Sequence, residues 1–536
     1  MNFRFISLIA CILITIGATG QVKHRYRVWL TDKAESTHYI DQPQSFLSDK
    51  AIERRARHNI DITEQDLPVS ETYLQEIRDM GFRVIVTSRW MNTVVVAPGN
   101  DITIDKIEQL PFVEKVECVQ NESRPSFPLP RYKGESRICN ESNDNLDELA
   151  TYYGASWTQI NQLNLAPLHQ AGYKGKGMTI AVVDAGFYCI DMHTGIDKSQ
   201  IIGTHDFTRR TFSYKNGEDH GASVLICMAA SVPNTYIGTA PEADYWLFIT
   251  EDNNRECPIE EDYWVAGVEM ADSVGADIVN SSLGYYEYDD PSMSYTKAHL
   301  DGKTAFCSRA ATIAASKGLL IVTAAGNEYG NSWQKITVPG DADGILTVGS
   351  INSDGTHSDF SSCGNTADGR IKPDIVAMGK KAKILTHEGD IMSVNGTSFS
   401  TPIMSGALAC LWQAHPEWSV DELIQQVQCG SSQYHTPDSL LGYGLPDIYD
   451  IHCTASGIDN TDMTHHRIYI DNGVLHLPHT QNPTIVTLYN IAGEVVLQKH
   501  LSRSLNEIKL PHLEQGIYIV ILNSHDTHCT QKILIE

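Results

Sequence analysis

Apolar and polar positions are arranged differently in successive stretches of the chain. Between residues 22 and 120, strand-like runs at 26–30, 84–87, 93–97 and 113–119 alternate with helical ones at 48–58, 71–80 and 102–109, which predicts a small α+β domain. Residues 121–150 are dominated by Pro, Ser, Asn, Asp and Glu and read as an exposed linker that ends by about 154. From 155 to 453 the pattern changes to short, nearly all-apolar runs (178–184, 245–250, 278–282, 319–325, 345–348) separated by helical stretches. Strands apolar on both faces belong in a parallel sheet with helices above and below, so this region predicts an α/β domain. Within 466–536 short strands return at 486–490, 494–499, 506–510, 516–522 and 531–535, as in a small β-sandwich.

The first twenty residues change the picture. Arg4 precedes an apolar run at 5–16, and Gly17-Ala18-Thr19-Gly20 follows. A basic start, a short apolar stretch and a small-residue exit predict a secretory signal cleaved before Gln21. The run is too short for the roughly 20 apolar residues of a membrane span. Export permits disulfides. Cys11 leaves with the signal, and the remaining cysteines of the 12 form no C-x-x-C pair, so their pairing stays open. A formal net charge of −26 excludes a nucleic-acid partner, which needs a basic surface.

Four segments carry candidate chemistry. The run 179–183 ends in Asp184-Ala185-Gly186, and the carboxyl ends of strands are where sites gather in open α/β sheets. Many strands end in Asp for capping reasons, so this segment alone is a structural Asp. Asp219-His220-Gly221-Ala222-Ser223 opens a largely apolar helical run, with Gly221 permitting close backbone approach. Among 21 histidines a lone one is usually structural. Ala324-Ala325-Gly326-Asn327 brings an Asn to the end of a buried strand, either as a turn residue or as an amide donor. The most specific segment is Asn395-Gly396-Thr397-Ser398-Phe399-Ser400-Thr401-Pro402. It sets Ser398 at the start of a buried helix, where backbone N–H groups and the helix dipole favour a developing oxyanion. Pro402 is expected in the first helical turn, where its missing N–H costs nothing.

Taken together, the order Asp184, His220, Asn327, Ser398 and the strings around them resemble the subtilase family over residues 155–453. Ser282-Leu283-Gly284 resembles that family's substrate-pairing strand, and Phe360-Ser361-Ser362 and 368–374 its approach to the nucleophile. The resemblance implies a subtilisin-like parallel sheet and a catalytic triad of Asp184, His220 and Ser398. It implies Asn327 in the oxyanion hole, and Ser282, Leu283, Gly284, Ala325 and Gly326 as substrate-binding residues. No cofactor is required, and structural calcium is compatible although no loop identifies its site. The chain departs from the family at Ala185, where Ser or Thr is usual, at Ala222 and Ser223, and at Tyr285, where Gly is common. None of these removes a reacting atom.

The flanking regions fit the same resemblance. Residues 22–120 resemble subtilase propeptides in size and element order, which implies an intramolecular inhibitor, with processing in 121–154 near Tyr152-Tyr153-Gly154. Residues 466–536, with Gly516-Ile517-Tyr518 and a last strand holding Lys532, resemble the type IX secretion sorting domains of Bacteroidetes. That implies a secretion-machinery partner and a product that is released or held on the outer-membrane surface after Sec export. The expected activity is hydrolysis of protein or peptide substrates by a secreted serine endopeptidase. An inactive subtilase-fold binding protein is the alternative, opposed by the four intact positions. An esterase would show G-x-S-x-G and the order Ser, Asp, His, which this chain lacks.

Overall fold

The near-continuous apolar runs of the central region become the strands of one buried parallel sheet. These are β1 (Thr179–Asp184), β2 (Ile201–Asp206), β3 (Asp244–Ile249), β4 (Ile278–Ser281), β5 (Leu320–Ala324), β6 (Leu346–Ile351) and β7 (Ile375–Met378). They lie in the order β7-β6-β5-β4-β1-β3-β2, with every neighbouring pair parallel. Every residue of β1, β4, β5, β6 and β7 is buried, which is why these segments show no alternation. Strand β2 escapes the sequence pattern because it is the sheet edge and mostly half-exposed.

Helices cover both faces. Helices α1 (His220–Ala229) and α4 (Thr397–Ala414) supply the core on one side, and α2 (Ile259–Val274) and α3 (Phe306–Ser316) that on the other. The computed structural model describes residues 24–99, 102–121, 148–209, 218–252, 254–456, 469–471, 474–477, 484–490, 493–501, 507–510, 513, 516–523 and 528–535. The expected signal at 1–20 and linker residues 122–147 lie outside the described residues. Residues 148–154, expected to end the linker, instead begin with the helix Glu148–Tyr153, and Tyr153 is fully buried with its hydroxyl 2.9 Å from His169 Nδ1.

The N-terminal domain is a four-stranded antiparallel sheet in the order 82–88, 93–98, 25–30, 113–120. Helix Glu71–Asp79 packs on one face around Val28, Leu74, Ile77 and Val96. The helix expected over 102–109 shrinks to Asp105–Glu108, ahead of Pro111 and its restricted predecessor. The other sheet face rests on α2 and α3. Arg27 makes two 2.7 Å hydrogen bonds to Asp262 and stacks 3.6 Å from the centre of the Phe306 ring. Helix Asp49–Arg57 brings Arg54 and Arg55 to Asp272 of α2. This contact is close enough that the chain through His452 forms one compact unit, with Cys453–Glu536 as a second.

The second unit is a small sandwich of two antiparallel sheets. One holds Tyr469–Asp471, Val474–His476 and Glu507–Lys509; the other orders 495–501, 484–490, 516–523 and 528–535. Leu475 and Ile508 from the first sheet meet Val486, Leu488 and Val520 from the second in its core.

Candidate active site

Strand β1 ends in Asp184, whose side chain is fully buried. Its Oδ1 accepts from the backbone N–H of Ala185 and from His220 Nδ1, each at 2.7 Å. A carboxylate only accepts, so the His220 proton resides on Nδ1 and Nε2 is left as the acceptor. Asp184 Oδ2 is buried without a protein partner among the described residues, beside the Ala185 that replaces the family's usual hydroxyl residue. The first turn of α1 can approach β1 this closely because position 221 lacks a side chain. A Cβ there would fall 2.6 Å from the Gly186 carbonyl oxygen and 2.8 Å from Asp184 Cβ. Burial opposes charge on His220, but the Asp184 carboxylate, by charge and hydrogen bond, outweighs it. With Asp219 and Glu218 adding to this, the imidazole pKa is raised above 6.5.

Ser398 is the second residue of α4. The chain enters through Gly396 at φ +152°, a backbone region that other residues rarely adopt. Phe399 brings this turn against His220, the ring centres lying 6.1 Å apart. The Ser398 hydroxyl donates to the Ser282 carbonyl at 3.3 Å, and the Ser282 hydroxyl donates to the Ser398 carbonyl at 2.9 Å. Pro402 lies past the first turn expected for it, at the sixth helical position. It therefore removes the N–H that the Ser398 carbonyl would have accepted, and the Ser282 hydroxyl takes that place.

Asn327 follows β5 and is exposed. Its Oδ1 accepts from the Thr397 N–H at 2.9 Å and from the Thr397 hydroxyl at 3.1 Å. A backbone N–H only donates, which settles the amide's orientation and leaves Nδ2 without a protein acceptor among the described residues. Of the remaining sequence-predicted residues, Ser282 is buried, Leu283 half-buried and Gly284 exposed. Ala325 accepts from the Thr337 N–H at 3.1 Å, and the Gly326 N–H donates to the Thr397 hydroxyl at 3.2 Å. The two segments thus meet at the start of α4.

One neighbour of this site went unread in the sequence. Glu251, just beyond the end of β3, accepts from the hydroxyls of Tyr285 (2.7 Å) and Thr250 (2.9 Å). Burial, reinforced by Asp184, pushes its carboxyl up to about 7. Tyr285 in place of glycine was the available signal, because a buried phenol needs a polar partner.

A model of the subtilase family matches residues 175–444. The chain belongs to the subtilase family. The Bacteroidota form of the peptidase S8 propeptide domain matches 25–131, and a secretion-system C-terminal sorting domain matches 469–536. This subtilase is 30% identical over 312 residues to subtilisin E of Bacillus subtilis (strain 168), covering 56% of this chain and 73% of the relative. Subtilisin J of Geobacillus stearothermophilus gives the same identity and coverage. Serine protease AprX of Bacillus subtilis (strain 168) is 27% identical over 321 residues, 51% of this chain and 64% of the relative. The chain is a secreted serine endopeptidase with a propeptide domain before the catalytic one and a sorting domain after it. Among the described residues no helix is long and apolar enough to cross a membrane.

Proposed function

We propose that Asp184, His220 and Ser398 are the residues that hydrolyse peptide bonds in this enzyme. The observation that carries the reading is the 2.7 Å hydrogen bond from His220 Nδ1 to the buried Asp184 carboxylate, with Phe399, the residue after Ser398, against the His220 ring. Substrate binding turns the Ser398 hydroxyl from the Ser282 carbonyl to His220 Nε2. That nitrogen takes the hydroxyl proton as Oγ attacks the peptide carbonyl, and Asp184 holds the tautomer and stabilises the imidazolium. The oxyanion is met by Asn327 Nδ2 and the Ser398 backbone N–H. His220 returns the proton to the leaving amine, and water then hydrolyses the acyl-enzyme by the same route. Backbone of the bound peptide pairs with 282–284 and 325–326.

These side chains supply the whole reaction, and no step is routed through a metal. As for the structural calcium that the family allows, among the described residues no three His, Cys, Asp or Glu side chains gather to hold an ion.

The regions assigned around the catalytic domain (155–453) act in order. The signal at 1–20 directs Sec export, the domain at 22–120 holds the enzyme inactive in cis, and the domain at 466–536 engages the secretion machinery that delivers it to the outer surface. Burial of Tyr153 favours processing before Glu148.

Labelling of the purified, processed protein with a fluorophosphonate, followed by peptide mapping, tests the assignment. Modification of Ser398 that is absent from Ser398→Ala is the expected result. Failure of the processed protein to label would promote the inactive binding-protein alternative.

A further inference from the structure

Helix α4 ends at Ala414, and His415 caps it. The last helix of the first unit, Ile448–Ser456, sets a second histidine against that cap: His415 Nε2 and His452 Nδ1 lie 3.0 Å apart. Both residues are buried, 5% and 7% exposed. The His415 ring is stacked flat on Trp418 at 4.0 Å, and the Trp418 carbonyl accepts from Trp412 Nε1 of α4 at 2.9 Å. On its other edge, His415 Nδ1 lies 3.4 Å from the Glu417 carboxylate. Tyr173 and Tyr449 flank His452, their ring centres 5.4 and 6.0 Å away. Lys174, next to Tyr173, is paired with Glu242.

This arrangement allows only certain proton counts. A carboxylate only accepts, so Glu417 keeps the His415 proton on Nδ1 and leaves Nε2 as the acceptor. The bond between the rings then uses the proton on His452 Nδ1. A first added proton goes to His452 Nε2 and leaves that bond in place. A second must go to His415 Nε2, where it sets two N–H groups against each other and two cations in contact. Burial, and for His452 the neighbouring His415, hold both rings below the usual 6.5, although Glu417 pulls His415 the other way. The closed pair therefore binds fewer protons than the opened one. Its contribution is complete above pH 6.5 and is lost as pH falls below that value. Ile448 and Ile451 belong to the core, which confines the effect to the turn after them. We infer that His415 and His452 form a proton-operated latch at the end of the first unit, which closes at His452 with the second beginning at Cys453. The latch holds the turn 452–456 on the catalytic domain at neutral pH and releases it in mild acid.

Hydrogen exchange read by mass spectrometry tests this on the full Ser398→Ala chain at pH 7 and pH 5, corrected for the intrinsic pH dependence of exchange. Protection of 452–456 should fall by about 10-fold or more, the effect of one extra proton taken up by the opened turn over roughly 1.5 pH units. Helix Val420–Cys429 should keep its protection. His452→Asn retains a donor for His415 Nε2, and its amide can turn to accept once that nitrogen is protonated. His415→Gln places an amide where Nε2 was. Both variants should match wild type within a few-fold at pH 7 and lose the response to acid. Wild-type protection that does not change between the two pH values, or an equal fall in both variants, overturns the inference.

Discussion

Ser282 and Ser398 exchange hydrogen bonds, each hydroxyl donating to the other's carbonyl, at 2.9 and 3.3 Å. The shorter bond exists because Pro402 deprives the Ser398 carbonyl of its helical donor. The pairing ties the proposed substrate-binding segment 282–284 to the backbone of the proposed nucleophile, which makes Ser282 a positioning residue in this reading. Ser282→Ala should lower kcat several-fold with little change in KM, and destabilise the Ser398→Ala chain by about 1–3 kcal/mol for an orphaned carbonyl. Adding Pro402→Ala restores an N–H at the right place and should recover much of the lost stability. A double-mutant cycle by calorimetry reads this directly; strict additivity would mean that the two residues do not share the carbonyl.

Asn327 should matter only once an oxyanion forms. Its carbonyl side is held by Thr397, and its amide nitrogen has no acceptor among the described residues. Asn327→Leu should therefore lower kcat by about 10²–10³ with KM nearly unchanged, the cost known for losing such a donor in a subtilisin. Steady-state kinetics on one peptide amide separate the two parameters. A rise in KM alone would instead make Asn327 a substrate contact.

The pH profile follows from His220. General-base catalysis needs the neutral imidazole, and Asp184 raises its pKa above 6.5. Thus kcat/KM should be low in acid and rise as pH passes upward through that raised value. Asp184→Asn removes the largest charge favouring the imidazolium, so the midpoint should move downward. The wrong tautomer should also lower kcat by about 10⁴. An unshifted midpoint would place the titrating group elsewhere.

What was legible in the sequence is what local pattern encodes. Strands β1 and β5 announced themselves as apolar runs ending in Asp184 and in Gly326-Asn327, and the string around Ser398 carried its own turn and helix start. Long-range partners left no such trace. Thr337 sits within an ordinary Ile-Thr-Val string, and only folding sets its side chain against both Gly284 and Gly326. Helix α2 was obscured by its acids: Asp262 and Asp272 are buried among arginines from a domain more than 170 residues away in the chain. Pro402 was misplaced by one turn, because only the structure fixes where α4 begins and which hydroxyl replaces the missing N–H.

Asp272 offers the sharpest test of how the N-terminal domain is held. Its carboxylate is completely buried and meets three guanidinium groups of that domain. Arg55 Nη2 contacts both oxygens at 3.0 and 2.8 Å, Arg89 contacts Oδ2 at 2.6 Å, and Arg54 contacts Oδ1. Arg55 also reaches Asp66, which takes Lys317 of the catalytic domain at 3.0 Å. Replacing Asp272 with Asn keeps the shape but leaves three buried cations short of a countercharge, and breaking a buried pair in this way costs about 3–5 kcal/mol. In the unprocessed Ser398→Ala chain, Asp272→Asn should cut hydrogen-exchange protection of helix Asp49–Arg57 by about 10²–10⁴-fold. The exposed pair Arg78–Glu71, with side chains 38% and 61% accessible, is the control, because Arg78→Ala should change protection hardly at all. Equal small effects from both variants would mean that apolar contacts such as Trp29 on Phe306 hold the domain, and that the arginines only orient it.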